Sequence, residues 1–262
     1  MTYETLTYEV ADNVATITLM RPDAANALNG QAFREIWQAA LAADDDPAVR
    51  AVIITATGRM FCSGGDLKDF SSRGDDLPRY LTECATLFHA AITRFQRMDA
   101  PVIIAVNGVA AGAGISFASS GDVVLASEEA MFVSAYTASG LTPDGSATYF
   151  LAKHIGLLRA KELVLLNRRL TAEEACDWGL VTRVVAADAL MDQAREMAAA
   201  FAQGPTKAFG GAKRLLLSAF SDSLETQMER EAISISDMAR TRDGSHGIAT
   251  FAARGKPTFE GH

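Results

Sequence analysis

The sequence PVIIAVNGVAAGAGISFASSGDVVLAS at residues 101–127 places a glycine-rich segment between two apolar strands. The runs PVIIAV at 101–106 and DVVLA at 122–126 are typical of strands that are covered on both faces. The small residues at 107–114 let a ligand approach the backbone, and helical sequence follows them. This order of strand, loop, helix and strand predicts an α/β fold with a ligand site at the loop.

A second glycine-rich segment follows an earlier strand. The strand sequence AVIITAT at 51–57 precedes FCSGGDL at 61–67. A loop that opens a helix presents unpaired backbone N–H groups, and two such groups aimed at one oxygen form an oxyanion hole. Neither segment has the spacing of a dinucleotide-binding or P-loop motif, and tight turns with close helix–strand packing are the alternative. Cys62 has no base nearby in the sequence, so we expect it to be a small filler.

The N-terminal part of the chain begins with a predicted hairpin. Residues 5–10 and 14–19 alternate and are rich in β-branched side chains, and an Asp-Asn pair between them is a turn signal. Residues 29–43 have helical spacing, with apolar side chains on one face. Residues 131–134 are predicted to form a further strand.

The pattern is helical from residue 157 onward. Thr171 and Glu174 have the spacing of a capping box, which marks a helix start. The predicted helices span 158–167, 171–179, 188–203, 206–220 and, as the last one, 224–240. The sequence therefore predicts an α/β core over residues 1–190 and a C-terminal helical region over residues 191–262. Apolar faces in that region would be stranded on a monomer, so part of it is expected to pack on other subunits.

Composition and charge exclude several classes of protein. Hydrophobic residues make up 49% of the 262 residues, which is enough for a sizeable core. The net charge of −8 argues against a nucleic-acid partner. Three cysteines without CxxC spacing argue against a disulfide framework or a zinc site, and no apolar stretch is long enough to span a membrane. Because no secretory signal is recognised, a cytoplasmic protein is expected. No metal is expected either.

Three side chains outside the glycine-rich segments are candidates for chemistry. Asp144 lies in GLTPDGS at 140–146, between a proline and a glycine, where a simple turn is the alternative interpretation. Tyr136 precedes Asp144 by eight residues. His89 lies on a predicted helix over residues 82–98, where a histidine that only fills a core or surface position is the alternative.

Four stretches together resemble the enoyl-CoA hydratase/isomerase (crotonase) superfamily. They are RPDAANALN at 21–29, FCSGGDL at 61–67, NGVAAGAGISFASSGDVVLAS at 107–127 and TAEEACDWGLVTRVV at 171–185. The resemblance covers residues 5–260. It implies an α/β superhelix of repeated ββα units and an acyl-CoA thioester substrate. It also implies a C-terminal helical region that builds a homotrimer or a dimer of trimers and forms part of the acyl pocket.

The resemblance assigns the oxyanion donors to the backbone N–H groups of Gly65 and Ala113. Family members usually have glycine at the second position, so the methyl group of Ala113 narrows the pocket while the N–H is retained. The positions that match those around the coenzyme A moiety are Ala24, Ser63, Asp66, Leu67, Lys68 and Arg59, the last two as phosphate partners. Coenzyme A is part of the substrate, so no separate cofactor and no metal are implied.

Departures from the family pattern bear on the reaction. Hydratases of the family use two glutamates, and this chain has Ser116 and Tyr136 at those positions. An acid is found instead at Asp144, which matches the catalytic acid of several isomerases of the superfamily. One carboxylate that moves a proton is sufficient for a double-bond shift. The resemblance therefore favours an enoyl-CoA isomerase with Asp144 as acid and base and an enolate held in the oxyanion hole.

Three alternatives remain open at this point. In a 4-chlorobenzoyl-CoA dehalogenase, Asp144 would attack the ring as a nucleophile, His89 would activate water, and Tyr136 would be the aromatic residue eight positions before the aspartate. The aromatic residue there is usually Trp in those enzymes. An enoyl-CoA hydratase could use Asp144 alone. A member without catalysis could serve as an acyl-CoA-binding or assembly protein.

Overall fold

The computed structural model describes residues 2–262. Within this range ten strands and eleven α-helices follow one another along the chain. The strands are β1 Leu6–Ala11, β2 Val14–Leu19, β3 Ala51–Ala56, β4 Met60–Cys62, β5 Val102–Val106, β6 Val109–Ala111, β7 Val123–Ser127, β8 Met131–Val133, β9 Arg169–Thr171 and β10 Arg183–Val185. The helices are α1 Gly30–Asp45, α2 Leu67–Ser71, α3 Leu77–Arg97, α4 Ala113–Ser119, α5 Ala147–Ile155, α6 Leu157–Leu166, α7 Ala172–Trp178, α8 Leu190–Ala202, α9 Thr206–Ser218, α10 Leu224–Arg240 and α11 Arg242–Ala252.

The larger sheet has six strands in the order β1-β2-β3-β5-β7-β10. β1 and β2 are antiparallel, and every other neighbouring pair is parallel. β3 and β5 are buried along their whole length, which explains their continuous apolar sequence, because a parallel sheet is covered on both faces. The predicted α/β class is confirmed.

The predicted hairpin and first helix form as their sequence signals indicate. Asp12 and Asn13 between β1 and β2 have φ angles of +51° and +62°, the left-handed values that a two-residue hairpin turn of type I′ requires. α1 begins after Asn29, whose side chain accepts a hydrogen bond from the N–H of Ala32. This cap satisfies one of the donors that the first turn of a helix leaves unpaired.

A smaller sheet brings the two glycine-rich segments together. Its strands lie in the order β4-β6-β8-β9, with β4, β6 and β8 parallel and β9 antiparallel to β8. β4 and β6 have three residues each, too few for a hydrophobic period to be recognised in the sequence. Each of these two strands leads directly into one glycine-rich segment. Because the strands are parallel neighbours, the segments leave the sheet at the same edge.

The C-terminal helical region is attached to the sheet through α8 and α9. α8 packs on the larger sheet with Leu190, Ala194 and Ala198. In α9, Lys213 Nζ lies 2.6 Å from the Asp122 carboxylate. α10 has no buried residue. None of the helices within residues 2–262 combines the length and the apolar character that a bilayer crossing requires.

The prediction that 224–240 is the last helix is wrong, because α11 follows it. The two glycines of α11 lower its helix propensity, and that hid it in the sequence. The structure stabilises it by other means. The Thr241 side chain caps its N-terminus, and the buried carboxylate of Asp243 accepts hydrogen bonds from the N–H groups of Glu260 and Gly261, each over 2.7 Å.

Candidate active site

A cleft of about 980 Å³ lies where the two glycine-rich segments meet. Its walls come from residues 21–33, 63–70, 81–85, 112–113 and 135–144. The predicted site residues that line it are Ala24, Ser63, Gly65, Asp66, Leu67, Lys68, Ala113, Tyr136 and Asp144. The lining residues of this cleft in one chain end at Asp144, and the expected contribution of residues 191–262 to the acyl pocket stays a prediction.

The two glycine-rich segments meet backbone to backbone. Gly64 and Gly112 have φ angles of +103° and +53°, which favour glycine. A Cβ atom on Gly64 would lie 3.1 Å from the carbonyl oxygen of Ala111 and 3.5 Å from the amide nitrogen of Ala113. Glycine at 64 therefore sets how closely the first segment approaches the start of α4.

This contact places two unused N–H groups beside the cleft. Among residues 2–262, no acceptor is found for the N–H of Gly65 or of Ala113. The strand bridge at Gly65 uses the carbonyl of Gly64 and the N–H of Asp66, so the N–H of Gly65 itself is not part of it. Ala113 is the first residue of α4, where an N–H has no partner within the helix. Both groups are available to donate to a ligand oxygen.

Cys62 has the packing role that its sequence suggests. Its side chain is fully buried, and burial raises the pKa of the thiol to about 12. A thiol with so high a pKa is a poor nucleophile near neutral pH. Gly114 packs against the same residue, because a Cβ atom on Gly114 would lie 2.2 Å from the carbonyl oxygen of Cys62.

The structure joins Ser116, Tyr136 and Asp144 in one hydrogen-bonded cluster. The Tyr136 hydroxyl donates to Asp144 Oδ1 over 2.6 Å and lies 2.8 Å from the Ser116 hydroxyl. Ser116 also donates to the backbone carbonyl of Asp144 over 2.9 Å. Burial, followed by the charge of Asp144 and the hydrogen bond to it, raises the pKa of Tyr136, so the phenol stays protonated and remains a donor. No hydrogen bond to Asp144 Oδ2 is found among residues 2–262.

The backbone around this cluster is held in left-handed conformations. Ala135, directly before Tyr136, has φ of +58°, and Gly145 and Ser146, directly after Asp144, have φ of +57° and +67°. A residue with a side chain pays roughly 1–2 kcal/mol for this conformation. Such strain persists only where the surrounding structure fixes it, and it gathers at functional sites.

Two predicted residues do not reach the cleft. His89 is exposed on α3 and does not line the cleft, and its Nε2 accepts a hydrogen bond from the N–H of Gly145 over 3.1 Å. Arg59 is exposed before β4, whereas the cleft begins beyond the other end of that strand. The expectation that Arg59 contacts the phosphates of coenzyme A stays a prediction.

Charged side chains gather at the cleft beside the first segment. Asp66 caps α2 by accepting hydrogen bonds from the N–H groups of Lys68 and Asp69, each over 3.2 Å. The guanidinium of Arg21 lies 3.0 Å from the same carboxylate. Arg21 was not singled out in the sequence, although it opens the RPDAANALN stretch. The carboxylate of Asp66 is thus occupied within the protein, and Lys68 and Arg21 are the cations that line the cleft.

A second aspartate of the cleft wall, Asp69, is held on several sides. The Tyr80 hydroxyl donates to Asp69 Oδ2 over 2.6 Å, and the N–H of Gly30 approaches the same oxygen at 3.4 Å. Arg73 donates to Oδ1. Sequence reasoning did not find this cluster, because its members come from α1, α2, α3 and the segment between α2 and α3.

Comparison with known proteins decides the family. Residues 9–262 match the sequence profile described as enoyl-CoA hydratase/isomerase. The chain belongs to the enoyl-CoA hydratase/isomerase family. The matched residues include both glycine-rich segments and Asp144.

Relatives in the enoyl-CoA hydratase/isomerase family carry out different reactions. The chain is 34% identical to the 1,2-epoxyphenylacetyl-CoA isomerase of Escherichia coli K12, over 96% of this chain and 97% of that protein. It is 31% identical to 4-chlorobenzoyl coenzyme A dehalogenase-1 of an Arthrobacter species, over 86% and 82%. An enoyl-CoA hydratase from Polaromonas sp. JS666 has a crystal structure that matches with a TM-score of 0.92 and 30% identity, over 97% and 99%. The chain therefore has the crotonase fold and is an acyl-CoA enzyme, while the names of its relatives indicate different reactions.

Proposed function

We propose that this chain is a cytoplasmic enoyl-CoA isomerase, in which Asp144 moves a proton while the N–H groups of Gly65 and Ala113 hold the enolate oxygen of the thioester. The single observation that carries the proposal is the position of Asp144. Its carboxylate lines the same cleft as both N–H groups, and one of its oxygens has no partner among residues 2–262.

The other carboxylates of the cleft favour a reaction with one acid. Asp66 caps a helix and pairs with Arg21, and Asp69 is held by Tyr80. The two positions at which hydratases of the family have glutamates are Ser116 and Tyr136, and these are hydrogen-bonded to Asp144. A double-bond shift needs only one group that removes a proton and returns it.

The oxyanion donors make this carboxylate sufficient. A proton next to a thioester is too weakly acidic for a carboxylate in water to remove at a useful rate. Each fixed N–H donor on the developing oxyanion lowers the barrier by about 3–4 kcal/mol. Gly65 and Ala113 would supply two such donors, and Lys68 and Arg21 would meet the phosphates of coenzyme A at the cleft.

A dehalogenase is the second candidate, because Tyr136 contacts Asp144 and a 4-chlorobenzoyl-CoA dehalogenase is among the relatives. That reaction needs a base to activate water for hydrolysis of the aryl ester. His89 does not line the cleft, and its Nε2 accepts a hydrogen bond from Gly145. The geometry therefore supports the isomerase better.

A panel of three substrates tests the proposal. The protein is incubated with a 3-enoyl-CoA, a 2-enoyl-CoA and 4-chlorobenzoyl-CoA, and the products are analysed by mass spectrometry and chromatography. We expect the 3-enoyl-CoA to give a product of unchanged mass that co-elutes with the 2-enoyl isomer. A gain of one water would indicate a hydratase, exchange of chloride for hydroxyl a dehalogenase, and absence of turnover a binding or assembly protein.

We also propose that the chain forms a homotrimer or a dimer of trimers. Apolar side chains on α6, α10 and α11 are exposed in the single chain. They are Leu158, Leu165, Leu166, Leu224, Met228, Ile233, Ile235, Ile248 and Phe251. A soluble monomer rarely exposes so much apolar surface in adjoining elements. Light scattering at micromolar concentration should give three or six times the mass of the chain, and a monomer would contradict the proposal.

A further inference from the structure

One buried helix carries both an oxyanion donor and a contact to the base. α4 begins at Ala113, and Ser116 follows one turn later. All seven residues of this helix are buried, and Ser116 has no exposed surface. Its hydroxyl lies 2.9 Å from the carbonyl oxygen of Asp144. The distance between the oxyanion hole and the Asp144 backbone is therefore set by a rigid element rather than by a mobile loop.

Tyr136 contacts the side chain of Asp144, whereas Ser116 contacts its backbone carbonyl. Its hydroxyl lies 2.6 Å from Asp144 Oδ1 and 2.8 Å from the Ser116 hydroxyl. Gly145 lets the loop pack closely against α3 and α4, because a Cβ atom there would lie 2.4 Å from the ring of Phe88 and 2.9 Å from Ser116 Cβ. Asp144 is thus held at its backbone and at one carboxylate oxygen.

We propose that Ser116 and Tyr136 are positioning residues that fix Asp144 Oδ1 and leave Oδ2 as the single atom that carries the proton. This inference rests on the proposed isomerase activity and extends it to residues at the positions where hydratases of the family have glutamates. Neither residue exchanges a proton with the substrate. Both act through the orientation of Asp144.

The proton transfer balances without any other reactant. Asp144 Oδ2 takes the proton from carbon 2 of a 3-enoyl thioester, and the electron pair of that C–H bond forms the enolate, whose oxygen the two N–H groups hold. The same oxygen then returns the proton to carbon 4, and the double bond moves to carbons 2 and 3. Because one oxygen acts in both steps, the proton returns to the face from which it left, in part before it exchanges with water.

The test compares Tyr136→Phe with Tyr80→Phe in D₂O. Each change removes a hydroxyl that lies 2.6 Å from an aspartate carboxylate, and Tyr80 does not line the cleft. The substrate is the 3-enoyl-CoA that the wild-type protein turns over, and deuterium at carbon 4 of the product is measured by mass spectrometry. Steady-state kinetics give kcat and KM separately, and thermal unfolding reports the stability of both variants.

We expect Tyr136→Phe to lower kcat roughly tenfold, the effect of about one hydrogen bond, with KM unchanged. Deuterium at carbon 4 should increase, because a released carboxylate rotates and exchanges its proton with solvent more often. Ser116→Ala should change both quantities in the same direction by a smaller factor. Tyr80→Phe should lower the melting temperature while kcat and the deuterium content stay at the wild-type values.

Two sets of outcomes separate this inference from the proposed function. If Asp144→Asn keeps its turnover, the isomerase mechanism itself fails. If Asp144→Asn is inactive and Tyr136→Phe retains the wild-type kcat and deuterium content, only the positioning role fails. A loss of kcat without a change in deuterium, or an equal deuterium change in Tyr80→Phe, would also overturn it, since both would indicate general loosening of the fold.

Discussion

Two tyrosine–aspartate pairs lie at the same cleft, and the distance from hydroxyl to carboxylate is 2.6 Å in each. Tyr136 donates to Asp144 in the loop before α5, and Tyr80 donates to Asp69 in α2. The contact alone therefore cannot tell which aspartate does chemistry. The remaining partners of each carboxylate make the difference.

Both carboxylate oxygens of Asp69 accept hydrogen bonds, whereas only one carboxylate oxygen of Asp144 does. Burial by itself would raise the pKa of Asp69, but the hydrogen bonds from Tyr80, Arg73 and Gly30 outweigh it and hold the pKa below its ordinary value. A carboxylate with both oxygens occupied stays charged and ties α2 to α3. Asp144 lines the cleft, and its Oδ2 has no hydrogen-bond partner among residues 2–262. By this comparison the Asp69 pair serves structure, and the Asp144 pair has the carboxylate oxygen without a partner that the proposed proton transfer requires.

The largest expected effect is the loss of turnover in Asp144→Asn. The amide keeps the shape of the side chain and removes its basicity, so turnover should fall by about 10²-fold or more, while affinity for coenzyme A stays nearly unchanged. Asp69→Asn is the matched variant and should keep most of its turnover. Steady-state kinetics and calorimetric titration measure both quantities. Full activity of Asp144→Asn would rule out both the isomerase and the dehalogenase mechanism. The two tyrosine–aspartate pairs would then not differ in function.

Gly65→Pro tests whether the activity proposed for Asp144 depends on the backbone N–H groups that line the same cleft. Proline removes one N–H, so turnover should fall by about 10²-fold. Any side chain at this position also meets Phe70, since a Cβ atom would lie 2.3 Å from its ring. Gly65→Ala is therefore the control, because it adds the same Cβ atom and keeps the N–H. Equal turnover of the two variants would show that the N–H of Gly65 holds no oxyanion.

The pair of Asp69 and Tyr80 should stabilise the fold to an extent that depends on pH. The pKa of Asp69 in the folded chain is lowered from 3.8, so its contribution is fully present above the unfolded value and is lost as pH falls through the lower folded value. Melting temperatures of the wild type and Asp69→Asn should differ at pH 7 and converge as the pH is lowered below about 4. A gap that widens on acidification would contradict the low pKa.

The smallest expected effect is that of His89→Gln. The glutamine side-chain oxygen can accept the hydrogen bond that the N–H of Gly145 now gives to His89, so an isomerase should lose little activity. A dehalogenase would lose its hydrolytic base and accumulate a covalent adduct on Asp144. Intact-protein mass spectrometry after incubation with 4-chlorobenzoyl-CoA distinguishes the two, and an adduct would assign Asp144 the role of nucleophile.

Local sequence signals predicted much of the fold. The apolar runs became β3 and β5, and Thr171 with Glu174 forms the predicted capping box. These features depend on neighbours in the chain, which a sequence displays directly. α11 was missed because its stability depends on Asp243 and the C-terminal residues that it binds, and such contacts leave no periodic pattern.

Most residues of the site could be predicted from the sequence, but the hydrogen bonds between them could not. Both glycine-rich segments and Asp144 stand out by composition or resemblance. Ser116 was recognised only as a position where a glutamate is missing, and Tyr136 was recognised in addition as the aromatic residue eight positions before Asp144. Their hydrogen bonds to Asp144 bridge separations of 28 and 8 residues and depend on where α4 lies. For the same reason the hydrogen bond from the N–H of Gly145 to His89 could not be predicted.

Because Gly64 closely approaches the start of α4, the dimensions of the proposed oxyanion hole and the shape of the rest of the cleft can be altered independently. The proposed oxyanion hole is built from main chain, so its width depends on Gly64 and Gly112 rather than on the choice of a side chain. Another part of the cleft wall is lined by residues such as Leu81, Ala85 and Leu141. Directed evolution toward a longer, branched or aromatic acyl group can therefore work on that wall alone, and the hole beside Gly64 keeps its dimensions through the change.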